Sequence, residues 1–259
     1  MMKRLLFVFL CCLSTLWGYA QSVDFDNSIE NAFLVTNGPT DEGLVAYYPF
    51  DGNANDESGN QNHGSVRSGS LTSGCSGESN SAYQFGGTSR PGSIYIKNSS
   101  SLYIGDGWTF SAYVKPYSQS GMNGYGSSSS QGIHTILAHS HDRYGFCIMY
   151  QLKENQFSTW LGAHNQSWCS GISAQATGDY LNQWVHIAFV FDKNEFRVFI
   201  NGQRITTKKV VPNFSTANRQ DWYLGKFSDS WYPMNGALDE VRIYNRALSD
   251  DEVAGLVVF

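Results

Sequence analysis

This chain carries little charge, few cysteines and no long apolar run, and each shortage excludes something. Only 15% of the 259 residues are Asp, Glu, Lys or Arg. Beyond Lys3-Arg4, Lys208-Lys209 is the single adjacent basic pair, far short of the basic footprint that nucleic acid requires. No segment reaches the roughly 20 apolar residues of a membrane-spanning helix. No two of Cys75, Cys147 and Cys169 stand at the close spacing of a thiolate metal site. Two catalytic patterns are also missing. There is no Gly-x-Ser-x-Gly elbow to present a serine nucleophile. There is no Glu-x-Asp-x-x-Glu run, the spacing that puts two carboxylates on one strand face for glycoside hydrolysis. Asp239-Glu240 are adjacent, so on a regular strand they point to opposite faces. These absences lean against an enzyme.

The chain opens as a targeting signal. Lys3 and Arg4 give a positive start, Leu5 to Trp17 an apolar run, and Gly18-Tyr19-Ala20 a small-x-small cleavage site. Phe9-Leu10 ahead of Cys11 lacks the small residue of a lipoprotein signal, so the expected product is secreted, periplasmic or exposed at the cell surface. Loss of residues 1–20 moves the net charge from −5 to −7, with 15 basic residues left against 22 acidic. Residues 21–42 read as an N-terminal lead with one possible strand, Ala32–Thr36, ended by the breakers Asn37-Gly38-Pro39. The three remaining cysteines would meet an oxidising compartment, where a bridge is expected. An odd count leaves one thiol over and sequence does not fix the pairing; Cys147–Cys169 is the pair taken forward.

Residues 43–259 are expected to be all-β. Short runs rich in β-branched and aromatic residues recur between Gly, Ser, Asn and Asp clusters. They cover Ala82–Phe85, Ser93–Ile96, Trp108–Lys115, Thr135–His139, Tyr144–Gln151, Phe157–Ala163, Trp184–Phe191, Glu195–Ile200, Trp222–Lys226 and Gly236–Tyr244. Phe196, Val198 and Ile200 fall on one face and Arg197 and Phe199 on the other, and Asn201-Gly202 then supplies a type I′ hairpin turn. Ser249, with Glu252 three residues on, predicts a short helical turn near the C-terminus. Tyr117–Gly132, dominated by Gly, Ser and Gln, reads as a flexible surface excursion.

The stretch Gly43–Gly64, GLVAYYPFDGNANDESGNQNHG, is a strand followed by a dense set of oxygen-bearing side chains and glycines. Such a loop can be a plain Asx-rich turn, or it can offer the six to eight oxygens that calcium takes. Together with GALDEVRIYNRALSDDEV (Gly236–Val253), it resembles the two ends of the LamG-like (laminin G type) jelly-roll family of the concanavalin A-like lectin/glucanase superfamily. TFSAYVKP, WVHIAFVFD, RVFINGQ and WYLGKF resemble that family's core strands in order. The resemblance implies a two-sheet antiparallel jelly-roll sandwich with a structural calcium where the first and last strands meet. It would make Asp51 and Asp239 the side-chain ligands, with Asp56 and Asn60 as additions.

For function, aromatics form 15% of the chain, and flat rings beside amides suit sugar recognition. Trp108 and Trp184 sit in core-strand motifs. Trp160, Trp168, Trp222, Tyr223, Trp231 and Tyr232 are the candidates for exposure, with Trp222 and Trp160 able instead to fill the sandwich. Trp168 beside Asn165-Gln166, and Trp231-Tyr232, are the expected ligand-binding residues. His134, His139, His141 and His164 could gather around zinc or do acid–base work, but scattered polar positions on strands and loops explain them better. The expected partner is carbohydrate; alternatives are a protein-binding adhesive module or a divergent glycoside hydrolase.

Overall fold

A computed structural model describes residues 39–87, 89–117, 132–139, 145–161, 169–193, 195–209, 221–227 and 232–257 (backbone only at 161 and 169–171), all within the unit Asn37–Phe259. The targeting signal, the strand expected at Ala32–Thr36 and most of the Gly/Ser-rich excursion lie outside these residues.

The chain forms strands β1 (Leu44–Tyr48), β2 (Gly64–Arg67), β3 (Ser70–Thr72), β4 (Ala82–Gly86), β5 (Ser93–Ile96), β6 (Gly107–Pro116), β7 (Ile133–His139) and β8 (Phe146–Gln151). They continue as β9 (Gln156–Leu161), β10 (Cys169–Gln175), β11 (Val185–Asp192), β12 (Glu195–Ile200), β13 (Gln203–Lys209), β14 (Trp222–Leu224) and β15 (Asn235–Tyr244), and one short helix, α1 (Asp250–Ala254), follows. The strands form two antiparallel sheets. The first has the order β13-β12-β11-β6-β15-β4-β3, with β1 added to β15 beyond the end of β4; the second has the order β10-β9-β8-β7-β14-β5-β2. The all-β, two-sheet sandwich expected from the sequence is the fold observed.

The main core lies between the sheets. Trp108 of β6 stacks on Phe146 of β8 with ring centroids 4.3 Å apart, while Phe196 of β12 meets its edge at 5.5 Å. Trp222 is buried against Phe146 and His139, so of the two roles open to it, filling the sandwich is the one it takes. Trp184, expected in the core, is half-buried at the entrance to β11 with Lys115 Nζ 5.8 Å from its ring. Truncating a ring such as Trp108 would cost about 3–5 kcal/mol, the usual range for a large buried aromatic. Asn201 (φ 48°) and Gly202 (φ 75°) make the left-handed pair that turns β12 into β13. Ser249 and Glu252 form a reciprocal capping box on α1, as their spacing predicts.

A second, smaller cluster covers the outer side of the first sheet. Leu248, Val253 and Leu256, in and around α1, pack on Ala188, Val190, Phe199 and Tyr244. Arg197 donates to Asp250 Oδ1 at 2.7 Å and to the Leu248 carbonyl at 2.9 Å, which pins the helix to β12.

Candidate functional site

The two chain ends meet as the family resemblance implies. Strand β1 runs antiparallel to β15 with Tyr48 opposite Val241, and this register carries the chain toward Asp51 on one side and Asp239 on the other. Gly52, which follows Asp51, and Asp239 both bond to the loop 74–80. The Gly52 N–H donates to the Asn80 carbonyl at 2.8 Å, and the Cys75 N–H donates to Asp239 Oδ2 at 2.8 Å. Asp239 Oδ1 accepts from the Glu240 N–H at 2.7 Å. Gly74 must be glycine for this loop to close, because a Cβ there would stand 2.7 Å from Asp239 Oδ2. Strand β15 is not regular at this point. A bulge lies between Asp239 and Arg242, with Glu240 at φ 52°, so the opposite-faces rule for Asp239-Glu240 does not apply. Glu240 pairs with Arg242 at 2.6 Å and accepts the Tyr47 hydroxyl at 3.0 Å. Asp239 is only 3% exposed and forms no ion pair among the described residues. Burial pushes its carboxyl up from 3.8 to about 6 against the pull of the Cys75 N–H. A buried carboxylate with no ion-pair partner among the described residues fits a hard cation chemically.

Asp56 and Asn60 stand apart from that pair. Asp56 is buried and its oxygens are used on backbone. Oδ1 accepts the Tyr47 and Ser58 N–H groups, and Oδ2 accepts the Asn62 N–H, each at 2.9 Å. Asn60 donates to the Leu44 carbonyl at the other end of β1. Leu44 pairs with Tyr244, five residues along the ladder from Asp239, or roughly 17 Å at about 3.3 Å per residue. These two residues organise the Asx-rich loop instead of joining one ion with Asp51 and Asp239. Asn62 completes that work: its amide donates to the Val45 carbonyl and to Ser101, while its own carbonyl accepts the Tyr48 hydroxyl at 2.6 Å.

The outer side of the second sheet carries the rings. Ile94, Ile96, Trp222 and Leu224 point into the core, so the alternating Tyr95 and Tyr223 point out. The ladders place one residue per strand in a single row: Ser65, Tyr95, Tyr223, Ala138, Cys147, Trp160 and Ser170. Small residues occupy the middle, and Phe227 and Tyr232 fold over them. Tyr232 meets Trp160 edge-on at 5.7 Å, and Tyr95 meets Tyr223 at 5.5 Å. Tyr95, Tyr223, Trp160 and Tyr232 are all half-buried, each keeping part of its ring in water. The Tyr95 hydroxyl donates to Asp221 Oδ2 at 2.9 Å; that bond, more than burial, raises its pKa. Of the expected ligand residues, Tyr232 is on this face, whereas Trp168 and Trp231 lie outside the described residues. Sequence reading noted Tyr223 and Trp160 singly and missed Tyr95, because only strand register shows that they form a row.

The expected bridge between Cys147 and Cys169 is not made. Cys147 is a free thiol, wholly buried, with burial pushing its pKa up to about 12. It lies on β8 opposite Trp160, while Cys169 lies on β10 opposite Leu161, with β9 between them. Two strand spacings amount to about 9.6 Å, beyond the roughly 7 Å that a disulfide can span between Cα atoms. Two of the four histidines named above are described. His134 and His139 are buried on β7, His134 held down to about 4 by burial, and His141 and His164 lie outside the described residues. Among the described residues no three His, Cys, Asp or Glu side chains converge on a point.

Comparison with known proteins places this fold in a family. The family model Laminin_G_3, described as concanavalin A-like lectin/glucanases superfamily, matches residues 86–254. The chain belongs to this superfamily. No curated protein matches the sequence. Among solved structures, this Laminin_G_3 chain is similar to domain 4 of AbnA, a GH43 extracellular arabinanase from Geobacillus stearothermophilus, in complex with arabinotriose. That likeness has a TM-score of 0.63 at 23% identity and covers 83% of this chain and 98% of that one. The binding domain of Paraclostridial Mosquitocidal Protein 1 matches at TM-score 0.64 and 19% identity, over 83% of this chain and 51% of that one. A botulinum neurotoxin type C structure, whose cell entry depends on two ganglioside molecules, matches at 0.63 and 15%, over 83% and 50%. The chain thus spans about half the length of these toxin domains. At such identities the likeness establishes the fold. Among the described residues no helix is long and apolar enough to cross a membrane.

Proposed function

We propose that this Laminin_G_3 protein is a secreted or cell-surface binding module that takes carbohydrate on the outer face of its second sheet and is stabilised by a structural calcium ion. The observation that carries the reading is the row of half-exposed rings Tyr95, Tyr223 and Trp160, with Tyr232 folded against the last. Sugars present flat C–H faces, and partly hydrated aromatic rings with polar neighbours suit them. The arabinotriose complex of the similar arabinanase domain supports a sugar ligand in this fold. Trp231, immediately before Tyr232, and Trp168, immediately before β10, are the adjoining ligand residues in this reading. Asp51 and Asp239 would hold the ion, whose charge would neutralise a carboxylate that the fold otherwise buries at a cost.

A glycan array tests the proposal directly. The wild type should enrich a defined subset of sugars, and Trp160→Ala or Tyr232→Ala should weaken that retention by at least about tenfold, equivalent to 1.4 kcal/mol. Each variant should retain a cooperative melt. A protein partner is the second reading, because a related toxin domain has been seen in complex with rat synaptotagmin II. An array with no sugar retained would discard carbohydrate in its favour.

A further inference from the structure

The described residues at the two ends of the ring row differ. At the Trp160 end the ring shares an apolar cluster with Phe227 and Tyr232, and Ser170 lies opposite it on β10. At the Tyr95–Tyr223 end two cations stand over the rings: the Arg67 guanidinium carbon is 4.4 Å from the Tyr95 centroid, and Lys226 Nζ is 5.4 Å from that of Tyr223. Resting on the carbohydrate reading above, we infer that the Arg67–Tyr95–Tyr223–Lys226 end is a subsite for a sugar bearing an anionic substituent, a carboxylate or a sulfate.

Three features make this a prepared site. First, Arg67 is exposed on edge strand β2 and makes no ion pair among the described residues, whereas Arg197, Arg204, Arg242 and Arg246 all do. Second, a guanidinium placed over a ring uses its face for that contact, and its in-plane N–H fork is left for a bidentate oxyanion. Third, the platform is fixed from beneath. Asp221 accepts the Tyr95 hydroxyl at 2.9 Å through Oδ2 and the Asn98 N–H at 2.8 Å through Oδ1. Both carboxylate oxygens are thereby engaged by donors, which holds Asp221 and the Tyr95 ring in place. A pyranose ring lying across Tyr223 would place its substituent between Arg67 and Lys226.

The test uses isothermal titration of the whole protein with three oligosaccharide sets matched in length: neutral galactan, oligogalacturonate (carboxylate) and sulfated galactan (sulfate). The wild type should bind one or both acidic sets at least tenfold more tightly than the neutral set, and added salt should erode the difference. Which acidic set wins identifies the substituent. Arg67→Gln should remove most of the preference, weakening the acidic sets at least tenfold more than the neutral set, and Arg67→Lys should restore only part of it. Tyr223→Ala should weaken all sets. Arg67 is exposed, so an unchanged melt of the Gln variant is expected and keeps its result readable. Equal affinity for neutral and acidic sets, or an Arg67→Gln variant that keeps the preference, overturns the subsite while leaving the carbohydrate reading in place. Failure of every set on a full glycan array would overturn both.

Discussion

The sharpest test of the β1–β15 junction is the replacement of Asp239 by Asn, read as a function of pH with and without calcium. In the absence of an ion, the folded carboxyl titrates near 6 where an exposed one titrates at 3.8. The direction matters. An acid whose folded value is raised favours the fold in its protonated form, so its contribution is complete below 3.8 and is lost as pH climbs through about 6. Two units at 1.36 kcal/mol each give about 3 kcal/mol lost by pH 7.5. For a domain of this length, that corresponds to about 6–12 °C in Tm. His186 and His134 titrate in the opposite sense, their folded values being held down to about 3 and 4 by burial, so a single wild-type curve would mix the effects. The difference between Asp239→Asn and wild type cancels them, since both proteins carry both histidines. In chelator, that difference should swing by about 6–12 °C in favour of the variant between pH 4 and pH 7.5, on top of a constant loss for the surrendered backbone bond. Calcium at 100 times its dissociation constant should then return about 2.7 kcal/mol to the wild type and nothing to the variant. A pH-independent difference in chelator would refute the burial argument. Equal calcium responses of the two proteins would refute the cation site.

Two further outcomes follow from the loops and the sheet. Asp56→Asn places an amide where three backbone N–H groups need acceptors. Charge-assisted bonds of this kind contribute about 1.5–3 kcal/mol each, so denaturant unfolding should show a loss of roughly 2–4 kcal/mol with calcium response intact; a neutral substitution would mean that the loop closes without that carboxylate. Reductant should leave the Tm unchanged, and a thiol reagent should reach Cys147 only after unfolding, because the thiol is buried and unbridged; rapid labelling of Cys147 in the folded protein would contradict this.

The sequence carried two kinds of strand, apolar runs buried almost throughout such as Trp108–Lys115 and Trp184–Phe191, and runs whose neighbours differ in burial. Ser93–Ile96 and Glu195–Ile200 were legible to the residue, because Ile94, Ile96, Phe196 and Val198 alternate with half-exposed partners. Strands β2, β3 and β13 were missed for the opposite reason. GSVR, SLT and QRITTKK sit at sheet edges with largely exposed residues and carry no period-two signal. Strand β10, CSGISAQ, looked like a loop because its residues are small and polar, and only pairing with β9 makes it a strand. At the site, the pairing of the first strand with the last was accessible through the family pattern. The hydrogen bonds that tie Asp56 and Asn60 into the Asx-rich loop were not, since composition does not show which oxygen is already spent on a backbone N–H. The Glu240 bulge and the Ser65-to-Ser170 row were likewise beyond reach, because both are facts of register between strands remote in the chain.

That register also explains why one outer face is available and the other is not. On the first sheet, α1 covers Ala188, Val190, Phe199 and Tyr244, while Ser111 and His186 form a buried hydrogen bond at 2.8 Å next to them. Substitutions there act on packing and on caps, and so on stability. On the second sheet, the small pair Ala138 and Cys147 leaves a dip between Tyr223 and Trp160, three strand spacings or about 14 Å apart. Phe227 and Tyr232 fill the base of that dip and leave the flanking rings half in water. Residues that face the core side of the same strands, such as Trp222 and Phe146, fix the spacing of those rings without touching a ligand. On the proposed reading, binding and stability fall on opposite sides of the same strands. A change confined to Tyr95, Tyr223 or Arg67 can alter what is bound while the sandwich beneath stays folded.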